Sequence, residues 1–477
     1  MPVRTMKRRD LLKSAGLGAA SLLLGAPATR AATGGKKPNV IYVFADQWRA
    51  EATGYAGNRD VRTPNLDRLA DASLNLTHAV SCCPVCSPYR ASLLTGQYPL
   101  THGVFLNDVR LRSEAVSLAE VYQRAGYRTA YIGKWHLDGN QRSAFIPRER
   151  RQGFEFWKVL GCTHAYNNSF YYGGEDTRLK WEGYDAIAQT QEARRYIRDH
   201  AEGSPFLLVL SWGPPHDPYA TAPQKYRALF EPETLTLRPN VPEADRQKAR
   251  QALAGYYAHI AALDDCIGGL LQTVGEAGIE RDTIFVFTSD HGDMLFSHGG
   301  QNKQQPWDES IRVPFLLYWP RLRARTLDLP INTPDIMPTL LGLSDIPIPE
   351  TIQGTDFSHV LAGKAPGPDY AALIECPSPF GQWTRPRGGR EYRGIRTRRH
   401  TYVRDLRGPW LLYDNQQDPY QLDNLCNHPQ HAALQANLDA LLSKRLKETN
   451  DAFLSGSDYI RKWGYEVDAS GTVRYVN

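Results

Sequence analysis

Three cysteines crowd into five residues at positions 82, 83 and 86, with a proline at 88 and an arginine at 90 close behind. An ionised thiol is both a nucleophile and a soft metal ligand, so chemistry can begin here. Cys83 and Cys86 are spaced as C-x-x-C, which admits a redox or metal pair, although no second close pair exists to complete a four-cysteine zinc site. A further set of reactive side chains is scattered along the chain but recurs in one context. Asp46 follows the apolar run "NVIYVFA", Lys134 and His136 follow "TAYIG", His216 follows "PFLLVLSWGPP", and Asp290 with His291 follows "TIFVFTS". Carboxylates and imidazoles suit a divalent cation; lysines and histidines suit an anion whose charge must be neutralised while a proton moves.

Those runs imply the elements that position them. Residues 39–45 form a continuous apolar stretch of the kind buried on both faces of a sheet. Helical patterns are predicted over 65–72, from 91, over 118–125, 193–201 and 248–275, and strands over 129–132, 205–212, 283–289 and 313–319. This alternation predicts an α/β fold, a mainly parallel sheet sandwiched by helices. In such sheets the carboxyl ends of the strands line the ligand crevice, so side chains remote in sequence should converge there. From about residue 370 the texture changes: 392–414 alternates like antiparallel hairpins and 432–448 reads as a closing helix. The expected organisation is a catalytic domain over 38–370 and a smaller C-terminal α+β subdomain over 371–477 containing an antiparallel sheet.

"CSPYRASLLTG" at 86–96, "GKWHL" at 133–137, "PPHDPY" at 214–219 and "FTSDHGDMLFSHGGQNKQQPWDESIRVPF" at 287–315 resemble, in order, the signatures of the type I, formylglycine-dependent sulfatases of the alkaline phosphatase-like superfamily. "TPNLDRLA", "TPDIMPTLLGL" and "LYDNQQDPYQLDNL" extend the resemblance over most of the chain. It implies that Cys86, with Pro88 and Arg90 in C-x-P-x-R, is oxidised to formylglycine (3-oxoalanine). The hydrate of that group offers one hydroxyl to attack sulfur and a second to expel the sulfate. It implies a cation held by Asp46, Asp290, His291 and the oxygen of modified Cys86, with Gln47 standing where many relatives carry another aspartate. Calcium suits these hard ligands, and magnesium or manganese are the alternatives. The resemblance further assigns Arg90 and Lys134 to stabilising the modified side chain and the sulfate. His136 would accept the proton of the second hydroxyl, and His216 with Lys303 would hold the sulfate and help protonate the leaving oxygen. His298 is expected to be structural or substrate-side, and Tyr89 departs from the serine or alanine usual at its position.

Sulfate monoesters are thus the expected substrates, on a sulfated carbohydrate, with a formylglycine-generating enzyme as the partner in maturation. A phosphonate or phosphate ester hydrolase and a non-catalytic glycan-binding relative are the alternatives. Residues 1–31 read as a twin-arginine-type export signal, basic at 7–13 with a short apolar run after it, which implies a periplasmic or extracellular protein. Six basic residues against one acidic residue place the whole of the chain's formal charge of +5 in that segment. The remainder is near neutral, so no nucleic-acid partner is expected, and no other run is apolar enough to anchor the chain in a membrane. Cys162, Cys266, Cys376 and Cys426 read as buried inert thiols. Nine arginines between 385 and 407 either line a rim for anionic sugars or belong to a solvated hairpin with cross-strand charges.

Overall fold

Every residue of strand β1 (Asn39–Asp46) is buried in the computed structural model, which describes residues 36–477. Side chains alternate across a strand, so Val40, Tyr42 and Phe44 enter one hydrophobic core while Ile41, Val43 and Ala45 enter the other. A strand between two cores has no wet face, which is why the run carries no charged residue between Val40 and Ala45. The segment assigned to export lies outside the described residues.

Nine further strands complete the large sheet: β2 (Leu74–Leu76), β3 (Arg128–Lys134), β4 (Phe156–Leu160), β5 (Phe170–Tyr172), β6 (Arg178–Lys180), β7 (Phe206–Pro215), β8 (Thr283–Ser289), β9 (Phe315–Tyr318) and β10 (Arg325–Leu327). Their order is β10-β2-β9-β8-β1-β7-β3-β4-β5-β6. The central strands β8, β1, β7, β3 and β4 run parallel, and antiparallel strands flank them. Helices Asp185–His200 and Arg246–Glu276 cover one face; Cys86–Thr95, Leu118–Arg124 and Thr333–Leu343 cover the other. The mainly parallel, helix-covered sheet expected from the alternation is what forms.

Register brings the strand ends to one rim. Asp46 pairs with Pro215, Ala45 with Ser289 and Gly133 with Ser211, so the residues that follow β1, β7, β8 and β3 emerge side by side. Gly133 sits at φ 104°, and a Cβ there would lie 2.0 Å from the Ser211 carbonyl oxygen, so only glycine fits beside β7. The helix expected from 91 begins five residues earlier, at Cys86, and all ten of its residues are buried. Pro88 does not prevent this, because the first turn needs no amide donor from it.

Strands β11 (Ala372–Cys376), β12 (Tyr392–Arg396), β13 (His400–Asp405) and β14 (Gly408–Asp414) form the antiparallel sheet, followed by the helix Ala432–Glu448. Leu373, Ile395, Val403 and Leu411 extend the core on the side of Tyr42. The arginine-rich stretch lies here and is ion-paired rather than aimed at the strand-end rim. Arg396 grips Asp308 through Nε and Nη2 at 3.0 and 3.1 Å, Arg399 meets Asp414 at 2.6 Å, Arg390 and Arg407 share Asp405, and Arg393 pairs with Asp451. This favours the charge-paired hairpin over the substrate rim. Burial opposes the Asp308 charge, but Arg396 outweighs it and lowers the carboxyl to about 2.

Arg396→Ala is expected to lose about 3–5 kcal/mol in urea denaturation at pH 7, because Asp308 is left buried with its bidentate partner gone. Arg399→Ala, at an exposed pair, should leave the midpoint close to wild type. Since the Asp308 pKa is depressed, the margin of wild type over Arg396→Ala is complete above the ordinary carboxylate value. It narrows as pH falls through about 2.

Candidate active site

Cys86 begins its helix at the rim, where the amide dipoles favour negative charge on its side chain. One ligand atom each from Asp46, Cys86, Asp290 and His291 lies within 4.8 Å of all the others, and the four residues are buried. Cys86 Sγ is 3.5 Å from Asp46 Oδ1 and 3.4 Å from His291 Nε2; His291 Nε2 is 3.6 Å from Asp46 Oδ1 and 3.5 Å from Asp290 Oδ1. The other ring nitrogen, Nδ1, donates to the Gly292 carbonyl at 2.9 Å, which turns the Nε2 lone pair toward the cluster.

Two buried carboxylates so close repel each other. Burial, then Asp46, pushes the Asp290 carboxyl up to about 6. Asp46 itself is held well below the usual range: burial opposes ionisation, but Lys134, with Nζ at 2.6 Å, and then Lys303 outweigh it. Arg90 bridges the pair, with Nη2 3.2 Å from Asp46 and 3.3 Å from Asp290, while Nη1 donates to the Lys134 carbonyl and Ser211 Oγ.

The donor set fits a hard dication. Gln47, at φ 73°, gives its Nε2 to Asp293 at 2.8 Å, and its Oε1 is buried with no hydrogen-bond partner among the described residues. Two carboxylates and an imidazole lone pair within 4.8 Å of one another, with a buried orphan amide oxygen on the residue that follows Asp46, suit a cation. Backbone strain at such a position, as at His136 with φ 56°, is common where a side chain is aimed for function.

Two ammonium groups complete the surroundings of Cys86. Lys303 Nζ is 3.1 Å from Cys86 Sγ and 2.8 Å from His216 Nε2, and Lys134 Nζ is 3.8 Å from the same sulfur. Burial and then Lys303 keep the His216 pKa far below its ordinary value. The ring is therefore neutral, accepting from Lys303 at Nε2 and donating from Nδ1 to the Asp217 carbonyl at 2.9 Å. His136 Nε2 contacts Asp108 Oδ1 at 3.1 Å, and Asp108 is clamped by Arg142 at 2.8 and 2.7 Å. Burial opposes the imidazolium of His136, but Cys162 and Asp108 push its pKa up to about 10. Its Nδ1 has no hydrogen-bond partner among the described residues.

The structure thus gathers Asp46, Gln47, Cys86, Arg90, Lys134, His136, His216, Asp290, His291 and Lys303 at one rim. His298 stands apart, stacked on Trp307 and bonded to Asn240, in a structural position. All seven cysteines are free, so Cys83 and Cys86 form no disulfide. Tyr89 is accommodated in the core, its hydroxyl 2.9 Å from that of Tyr42. Sequence reasoning missed Asp108, Arg142, Asp293 and Cys162. Cys162, read as an inert thiol, instead faces His136, and though burial opposes ionisation, His136 and Lys134 bring its pKa to about 7. Asp293 was visible in "SDHGD"; Asp108 and Arg142 sit in loops without an apolar run to flag them.

Cations gathered around one nucleophile position beside a cluster of carboxylates and imidazole that could hold a metal ion are what cleavage of an anionic ester demands, and on this strand order they define a hydrolase of the alkaline phosphatase-like class. The Sulfatase family model matches residues 38–346, and that of N-sulphoglucosamine sulphohydrolase, C-terminal, matches 297–449. An ulvan-active sulfatase of Formosa agariphila is 47% identical over 90% of this chain and 85% of its own. An endo-4-O-sulfatase of Bacteroides thetaiotaomicron is 32% identical over 81% and 88%. A solved structure concerning metabolism of multiple glycosaminoglycans by Bacteroides thetaiotaomicron superposes with a TM-score of 0.79 at 28% identity, covering 90% of this chain and 99% of that one. The chain belongs to the sulfatase family and is a sulfuric ester hydrolase.

Calcium added to metal-depleted protein should raise its unfolding midpoint, by about 2.7 kcal/mol at a hundredfold excess over Kd. Asp290→Asn should abolish the shift. A midpoint indifferent to calcium, magnesium and manganese alike would contradict a cation at this cluster.

Proposed function

We propose that residue 86 works as formylglycine beside a divalent cation, and that the substrate is a sulfated carbohydrate. The observation that carries this reading is the convergence on Cys86 Sγ of Lys303, Lys134, Asp46 and His291. The sulfur marks where the oxygens of the modified side chain would stand. A sulfate ester repels an anionic nucleophile, so its oxygens need neutralising groups already in place.

Asp46, Asp290, His291 and Gln47 would hold the cation, and the oxygen-rich set favours calcium. When bound, it supplies Lewis acidity, acidifying a hydroxyl and polarising a sulfate oxygen. Lys134 and Lys303 neutralise the sulfate. The Lys303–His216 pair, ammonium against neutral imidazole, places a proton where the leaving oxygen departs. His136, oriented by Asp108 and with Nδ1 unpartnered among the described residues, is the base for the second hydroxyl, a role that needs its ring to shed the proton that Cys162 and Asp108 favour. Arg90 gives Nη2 to Asp46 and Asp290 and Nη1 to the Lys134 carbonyl and Ser211, so it serves as a positioning residue for the two carboxylates.

Relatives named for ulvan and for 4-O-sulfate support the carbohydrate reading. Maturation by a formylglycine-generating enzyme and export through the twin-arginine route complete it. No helix among the described residues is long and apolar enough to cross a membrane.

Protein co-expressed with a formylglycine-generating enzyme should yield a residue-86 peptide about 18 Da lighter than the unmodified one. It should release sulfate from sulfated saccharides in preference to matched phosphonate or phosphate esters. Cys86→Ala should abolish turnover, and His136→Ala should lower kcat about 10²–10⁴-fold. Full activity with an unmodified thiol would overturn the formylglycine reading.

A further inference from the structure

We propose that a cavity beside the reaction centre, walled by the C-terminal segment, is a subsite for the sugar next to the sulfated one, and that it takes a sugar carrying an anionic group. This rests on the carbohydrate reading above. The cavity has a volume of about 400 Å³ and lies between residues 108–110, residues 139–140 and residues 464–474. That is within the ordinary size of a small-molecule site. Asp108 is among its lining residues, and the buried Asp108 carboxylate lies 3.1 Å from His136 Nε2, so the cavity adjoins the segment that orients His136.

The lining suits a charged carbohydrate. Arg110 is 55% exposed; its Nε donates to the Asp138 carbonyl at 3.3 Å and lies 3.8 Å from the Asp138 carboxylate, while its terminal nitrogens make no hydrogen bond among the described residues. Arg474 is exposed and has no ion pair within 4 Å among the described residues. Two guanidinium groups across one cavity match a carboxylate or a second sulfate. Asn140 and Glu466 add acceptors for hydroxyls, and Tyr465 contributes an aromatic side chain held by its hydroxyl on the Gly103 carbonyl at 2.8 Å.

The wall is fastened to the catalytic side. The Val476 amide donates to the Asn140 carbonyl at 2.8 Å, and the Arg142 amide donates to the Val476 carbonyl at 2.9 Å. The Tyr475 ring lies 3.3 Å from the Arg142 guanidinium, which clamps Asp108. Residues 464–477 fall beyond both family-matched segments, which end at 346 and 449. The reaction machinery is shared with the family, whereas this wall is not part of what the family models describe, which is where substrate selectivity is free to differ.

The test compares Arg110→Ala, Arg474→Ala and the double variant on a sulfated, uronate-containing oligosaccharide and on 4-nitrophenyl sulfate, using the matured full chain. Each single variant should raise KM for the oligosaccharide about tenfold, the usual worth of one charge-assisted pair. kcat on the oligosaccharide, and both constants on the aryl ester, should stay within about twofold of wild type. Unchanged oligosaccharide KM, or a parallel loss on both substrates, overturns the subsite. Wild-type enzyme that cleaves the aryl ester but no saccharide overturns the carbohydrate reading instead, and the subsite with it.

Discussion

Asp46 and Asp290 place two carboxylates in a site closed to water, and the rest of the centre depends on how that charge is held. The ends of adjacent parallel strands bring them together, and a single guanidinium, Arg90, ties both. Lys134 adds the nearest positive charge. Deleting a partner from such a buried set leaves an uncompensated ion, typically a cost of about 3–5 kcal/mol. Arg90 in turn is fixed from the helix that begins at Cys86, so the nucleophile position and the carboxylates cannot move independently.

This coupling explains why the helix from Cys86 is buried throughout and why its neighbours tolerate little change. Arg90 reaches Ser211 on β7 and the carbonyl of Lys134 on β3, so three strands and one helix meet at one side chain. Gly133 allows β3 to press against β7 at that level. Around this frame Lys134 ends strand β3, while His216 follows β7 and Lys303 comes from the stretch that follows β8.

Much of this was legible in the chain. Apolar runs ending in Asp46, Lys134, His216 and Asp290 announced parallel strands with reactive ends, because a strand buried on both faces must be apolar until it reaches the rim. The ordered motifs from "CSPYR" to "SDHGD" identified the family. Asp108 and Arg142 were not legible: they lie in irregular segments, where neither periodicity nor spacing marks a side chain that turns back toward His136. Cys162 looked like any buried thiol because its partners come from other strands.

The sequence by itself determined the reactive residue types, the strands that carry them and the family, since each is written in contiguous stretches. Only the tertiary structure decided the partners. It showed that Gln47 keeps a buried amide oxygen without a partner among the described residues, that the arginines of 385–407 are mostly spent on ion pairs, and that residues 464–474 share a cavity lining with Asp108. The reason is physical: a side chain's charge state and direction are set by groups hundreds of positions away, and those distances exist only once the sheet has closed its register.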